Sequence, residues 1–112
     1  MVDGDHVLFE SPAICIYICE FDAGLTFIPP LGHPNRPLFF QWLAYLNNTL
    51  QAEYMLWRYA QNHATTADSI KDIKAAQLPR LLGPMSLLDR ELWDKGFLLS
   101  EEISGANYFL FI

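Results

Sequence analysis

A chain of 112 residues with 52% hydrophobic and 18% charged residues has the composition of a globular domain, long enough to bury roughly two thirds of its unfolded surface. Its formal net charge of −6 speaks against a nucleic-acid partner, which needs a basic patch, and favours neither a membrane nor a phosphate-rich surface. The longest purely apolar run, 13–19, is far too short to cross a bilayer, and Met1-Val2-Asp3-Gly4-Asp5 has none of the basic and hydrophobic character of a secretory signal.

Asp3-Gly4-Asp5 is a turn signal, and His6-Val7-Leu8-Phe9 reads as one short strand. Ser11-Pro12 then opens a helix: serine is a favoured N-cap, and proline suits the first helical position, where an N–H would go unpaired. The following segment, Ala13-Ile14-Cys15-Ile16-Tyr17-Ile18-Cys19-Glu20, is apolar almost all round, which predicts burial on several sides. Cys15 and Cys19 stand one helical turn apart among Ile and Tyr. That setting predicts two buried, reduced thiols of a cytoplasmic protein rather than a Cys-x-x-Cys redox pair.

Between residues 22 and 37 the composition changes: Gly24, Pro29, Pro30, Gly32, Pro34 and Pro37 mark a semi-rigid connection and the best domain boundary in the chain. A long helix is expected over residues 36–63. Phe39, Trp42, Leu43, Leu46, Leu50, Tyr54 and Trp57 form its core-facing stripe, while Gln41, Tyr45, Asn48, Met55 and Tyr59 make a second, greasy face suited to a partner, another domain or a ligand. Thr65-Thr66-Ala67-Asp68 starts the next helix. Ile70, Ile73, Leu81, Met85, Leu88 and Leu92 keep helical spacing, with Gln77 the one break. Pro79 and Gly83-Pro84 predict a kink there, or two shorter helices. Ser104 caps a last, apolar helix. That helix and the lone strand both want neighbours, so the chain reads as cut short at both ends.

A strand running into Glu10-Ser11-Pro12 at a helix start has specific chemical possibilities. First-turn N–H groups and the Ser11 hydroxyl suit a carboxylate, and Glu10 suits an ammonium, so together they match the two charged groups of an α-amino acid. The same residues equally describe a plain helix cap beside a solvated glutamate. His6, His33 and His63 have no partner at metal-ligand spacing, so no metal is expected, and no carboxylate pair suggests acid–base work.

The stretch from Asp3 through Glu10-Ser11-Pro12 to Ile18 resembles the last strand and helix of the thioredoxin-like domain of cytosolic glutathione S-transferases. His33-Pro34-Asn35-Arg36-Pro37, Gln41-Trp42-Leu43 and Asn48-Thr49-Leu50-Gln51 are similar to the first helix of the C-terminal domain in bacterial members. The stretch from Phe97 to Leu110 is similar to the segment leading into that family's central buried helix. The resemblance covers essentially the whole chain in order. It implies a mainly α fold: residues 1–22 as a strand-plus-helix remnant of the glutathione-binding domain, 23–35 as linker, and 36–112 as a truncated helical C-terminal domain.

The resemblance also implies a cytoplasmic, dimeric detoxification enzyme that conjugates glutathione, its co-substrate, to small hydrophobic electrophiles. Glu10 and Ser11 would hold the γ-glutamyl end of glutathione, and Tyr54, Met55, Arg58 and Tyr59 are the possible substrate pocket, with core packing or a dimer interface as the alternative role for those four. The sequence departs from the family in three ways. The strand and helix carrying the catalytic Ser, Tyr or Cys have no counterpart, so the chain alone is expected to show no conjugation. Asn107 stands where the family's capping box has Asp, and Ser100 where glycine is common. The prolines at 79 and 84 fall within a helix that is continuous in the family. These departures leave a second reading: a non-catalytic interaction module with a glutathione-transferase-like fold, or the remnant of a truncated gene.

Overall fold

The computed structural model describes residues 1–21, 27–99 and 103–110. Two short antiparallel strands, β1 (Val2–Asp3) and β2 (His6–Val7), open the chain, with Val2 opposite Val7 and Asp3 opposite His6. The strand expected to lack a neighbour therefore finds one in the residues just before it. Gly4 adopts φ 55, the left-handed region that a two-residue loop requires, and lets Gly4-Asp5 reverse the chain. Reciprocal bonds between Met1 and Leu8, at 2.8 and 2.9 Å, extend the ladder. The hairpin's own side chains are exposed, and Tyr17 anchors it to the next helix through a 2.5 Å hydrogen bond from its hydroxyl to Asp3.

Helix α1 (Ser11–Phe21) follows, and only Cys19 on it is fully buried, fewer than its all-round apolar sequence predicts. Cys15 is half-buried, and both thiols are free. After the described part of the connection, α2 (Arg36–Ala44) starts with Pro37 in its first turn, where a missing N–H costs nothing. Arg36 binds this junction together: its guanidinium donates to the Pro29 carbonyl at 2.7 Å and to Glu20 at 3.0 Å, and it lies 5.1 Å from the centre of the Phe40 ring. One side chain thus ties α1, the connection and α2.

The expected long helix is continuous through Arg58 but changes pitch within. A π-helical stretch (Tyr45–Gln51) separates α2 from α3 (Ala52–Arg58). Phe39, Trp42, Leu43 and Leu46 are buried as the stripe predicts, yet Tyr54 is exposed. Wider turns rotate everything downstream relative to a 3.6-residue period, so the core stripe no longer extends to Tyr54.

Helix α4 (Ala67–Lys95) runs unbroken for 29 residues, so of the two outcomes expected at the prolines, a kink or two shorter helices, the division does not occur. Pro79 and Pro84 each remove one backbone donor. The carbonyls they release belong to residues 75 and 80, which are exposed, so water serves them without ending the helix. Thr66 caps α4 by accepting from Ser69 N at 3.2 Å, and Gly96, at φ 75, stops it. Gln77, the break in the apolar pattern, is buried against α3. It donates to the Glu53 carboxylate, which also takes a two-pronged contact from Arg80 at 2.9 and 3.2 Å. The expected break is therefore an inter-helix polar clasp.

The last described helix, α5 (Gly105–Phe109), begins at a capping box. Asn107 Oδ1 accepts from Ser104 N at 3.1 Å and from its hydroxyl at 3.0 Å, so the uncharged residue forms the cap. Phe39, Leu43, Leu98, Ala106 and Phe109 join Cys19 in a single core where α1, α2 and α5 meet. The molecule is a slab of 52 × 41 × 18 Å.

Candidate functional site

The Glu10-Ser11 turn has a specific shape. Glu10 sits at φ 70, a left-handed conformation that costs a non-glycine residue ~1–3 kcal/mol and persists only where the surroundings enforce it. Its carbonyl accepts the first helical hydrogen bond, from Ile14 N at 3.0 Å, so Glu10 rather than Ser11 occupies the capping position. Ser11 is the first residue of α1 and is exposed. With Pro12 next in line, the first turn offers the N–H groups of Ser11 and Ala13, pointing along the positive end of the helix dipole. An anionic group placed there meets two backbone donors and a hydroxyl, with the Glu10 carboxylate adjacent.

Ser11 also edges a cavity of about 390 Å³ between α1 and α5, lined by Ile14, Cys15, Ile18, Cys19, Phe27, Gly105, Tyr108 and Phe109. Its walls are almost wholly apolar. Burial pushes the Cys15 thiol up from its ordinary range, against a small opposing effect of a hydrogen bond with Cys19. Cys19 is pushed up to about 12, chiefly by burial and then by Cys15 and Glu20 beside it. Both are protonated at neutral pH, and neither is a ready nucleophile.

A second cavity, about 510 Å³, lies between the far end of the π-helical stretch, α3, α4 and α5. Tyr54, Met55 and Tyr59 line it together with Leu50, Gln51, Leu81, Met85 and Leu88. Three of the four residues singled out in the sequence are therefore brought together. Arg58 is not in the wall; its guanidinium lies 5.3 Å from the Tyr59 ring centre. Met85 and Leu81 belong to a stripe read as core, and nothing in their spacing distinguishes a cavity wall from a packed interior. Phe109 touches both cavities, so α5 is their shared partition. Each volume falls within the ~300–1,000 Å³ common for small-molecule sites. Among the described residues no cluster of three or more His, Cys, Asp or Glu is placed to hold a metal ion, and no helix is long and apolar enough to cross a membrane.

Neither a protein-family model nor a curated protein matches this chain. Among solved structures it is similar to glutathione S-transferase 1-6 from Anopheles dirus species B, with a TM-score of 0.76 over 98% of the chain at 22% identity. The fold is glutathione-transferase-like. The chain spans about half the length of that protein, 50% of which is covered. That agreement extends from the hairpin to α5, so the helical slab and the strand-plus-helix start belong to one recognisable architecture.

Proposed function

We propose that this is a glutathione-transferase-like protein whose complete form conjugates glutathione to small hydrophobic electrophiles. The observation that carries the reading is the Glu10-Ser11 turn: a left-handed Glu10 leading into exposed Ser11 at the head of α1, within a glutathione-transferase-like fold. Ser11 and the first-turn N–H groups would receive the carboxylate of the γ-glutamyl residue, and Glu10 its ammonium. Residues 1–22 are the end of the glutathione-binding domain, 23–35 a linker and 36–112 the helical domain. The cavity lined by Tyr54, Met55 and Tyr59 supplies an apolar wall for the electrophile, with Arg58 at its margin. Thiol activation falls to the half of the fold this chain does not span. The working form is a cytoplasmic homodimer of the bacterial type.

The reading is tested by titrating the 112-residue chain with glutathione and following Glu10, Ser11 and Ala13 amides by NMR. Saturable shifts are expected there, and Ser11→Ala should weaken binding about tenfold through loss of a hydrogen bond to a charged group. Absence of saturable binding, or an affinity unchanged by Ser11→Ala, overturns the assignment.

The non-catalytic alternative, an interaction module, is favoured by the largely apolar lining of the cavity beside Ser11 and by the thiols held protonated in it. It predicts the same fold with no glutathione-dependent shifts at residues 10–13.

A further inference from the structure

One turn deeper than Ser11, α1 carries a pair of side chains that the glutathione reading leaves unused. Cys15 and Cys19 lie four residues apart on one face, and both sulfurs converge on Gly105 at the start of α5. Cys15 Sγ donates to the Gly105 carbonyl at 3.7 Å, while a methyl group added at Gly105 would overlap Cys19 Sγ. Both thiols are free, and both face the 390 Å³ cavity with Ile14, Phe27 and Tyr108. The rim is open, since Ile18 is 55% and Tyr108 50% exposed.

The helix makes this pair poor at bonding to itself. Side chains at i and i+4 hold their Cβ atoms ~5–6 Å apart. A disulfide wants ~3.5–4.5 Å, so a direct S–S bond would distort the turn. A single atom inserted between the sulfurs closes the gap without moving the backbone. The apolar walls then restrict which atom it is. A cuprous ion held by two thiolates leaves a net negative charge in a greasy space, which is expensive to bury. Zinc wants four ligands, and no group of three suitable side chains surrounds these two among the described residues. Mercuric ion prefers two sulfurs alone, in line, and leaves no third substituent to fill the cavity. Trivalent arsenic is pyramidal, forms a neutral adduct with two thiols, and keeps a third substituent for the cavity.

We propose that this cavity is a dithiol site for organic trivalent arsenicals, with arsenic bridging the Cys15 and Cys19 sulfurs and an aryl group filling the space beside them. The step balances without redox change. Two S–H and two As–O bonds break, two As–S bonds form, and each thiol proton leaves on a displaced hydroxyl as water. Arsenic stays trivalent throughout. Because the thiols are protonated, nothing charged need be buried before or after.

The test uses the full chain and phenylarsonous acid in the presence of excess glutathione as competing monothiol. Intact-mass measurement should show one adduct per chain, a phenylarsenic unit replacing two hydrogens, that resists glutathione and is stripped by 2,3-dimercaptopropanol. Cys15→Ser and Cys19→Ser should each abolish the glutathione-resistant adduct. Two nearby cysteines in an unfolded chain also capture arsenic, so the deciding measurement compares phenyl with methyl arsonous acid. Relative to the chain in concentrated urea, the folded chain should prefer the phenyl compound by a further tenfold or so, because its ring enters the apolar cavity. Ile18→Trp, which fills the cavity from its exposed rim and leaves both thiols in place, should erase that preference. No stable adduct on the folded chain, a phenyl preference no greater than in urea, or one unmoved by Ile18→Trp overturns the proposal.

Discussion

At Gly105 the backbone of α5 approaches α1 so closely that a Cβ would overlap the Cys19 sulfur and come within 3.3 Å of the Phe39 ring. The residue is helical, so substitution by alanine gains up to ~1 kcal/mol of helix propensity. Overpacking a core position costs ~1–3 kcal/mol, and both obstructing groups are buried here, so the clash should win. Gly105→Ala is therefore expected to destabilise the chain by about 1–2 kcal/mol in urea unfolding. Cys19→Ala should cost less in the Gly105→Ala background than in the wild-type chain, because it removes the atom being struck. Strictly additive effects would mean that the contact carries no strain. The sequence placed Gly105 after the Ser104 cap but held no sign of this constraint, which arises from a neighbour 86 positions earlier. Asn107, standing where the family's capping box has Asp, closes the box through its amide oxygen, which accepts two bonds from Ser104.

Between elements, the α3–α4 contact is governed by Glu53, Gln77 and Arg80. Hydrogen bonding from Arg80, and then from Gln77, holds the Glu53 carboxyl below the usual carboxylate range. Its folded pKa is depressed, so the stabilisation it provides is complete above the unfolded value of ~4.3 and is lost as pH falls through the lower folded value. Acid titration followed by circular dichroism should show the wild-type chain losing stability below that pH. Glu53→Gln should show a shallower slope over the same window. Equal slopes would mean that Arg80 and Gln77 do not favour the charged form. The clasp was legible only as a defect, a polar residue in an apolar stripe, because the partners come from a helix 24 positions earlier. The π-helical stretch was not legible at all. Its residues fit a regular helical stripe, and only the outcome, an exposed Tyr54 lining a cavity with Met55, reveals the change of pitch. The helical character of residues 70–92 was legible in apolar spacing broken only at Gln77, but their continuity in one helix was not. The prolines carried more weight in the reading than they do in the helix, because their released carbonyls fall on exposed residues.

For the molecule as a whole, the helical class and a helix start at residues 10–12 could be read in advance, since caps, prolines and periodicity are local signals. The partner strand β1 and the cap at Glu10 rather than Ser11 could not. Nor could shape. A compact domain of this length would have a radius of gyration of ~13 Å, whereas the slab has 16.9 Å. Its thinness leaves Phe9, Ile18 and Phe21 at 77%, 55% and 75% exposure along one side of α1 and its approach. Exposed large apolar side chains of this kind favour association unless charge interrupts them. Purified chain should accordingly associate in a concentration-dependent way in sedimentation velocity, and Phe21→Asp should shift it toward monomer. Phe21 is not part of the buried core, so this substitution should leave the helical circular dichroism intact and separate loss of association from loss of fold. Association unchanged by Phe21→Asp would place the contact elsewhere, with exposed Trp93 on α4 the next apolar surface to test. A monomer at all concentrations would show that this face tolerates water, and would remove the physical basis for a dimer built on it.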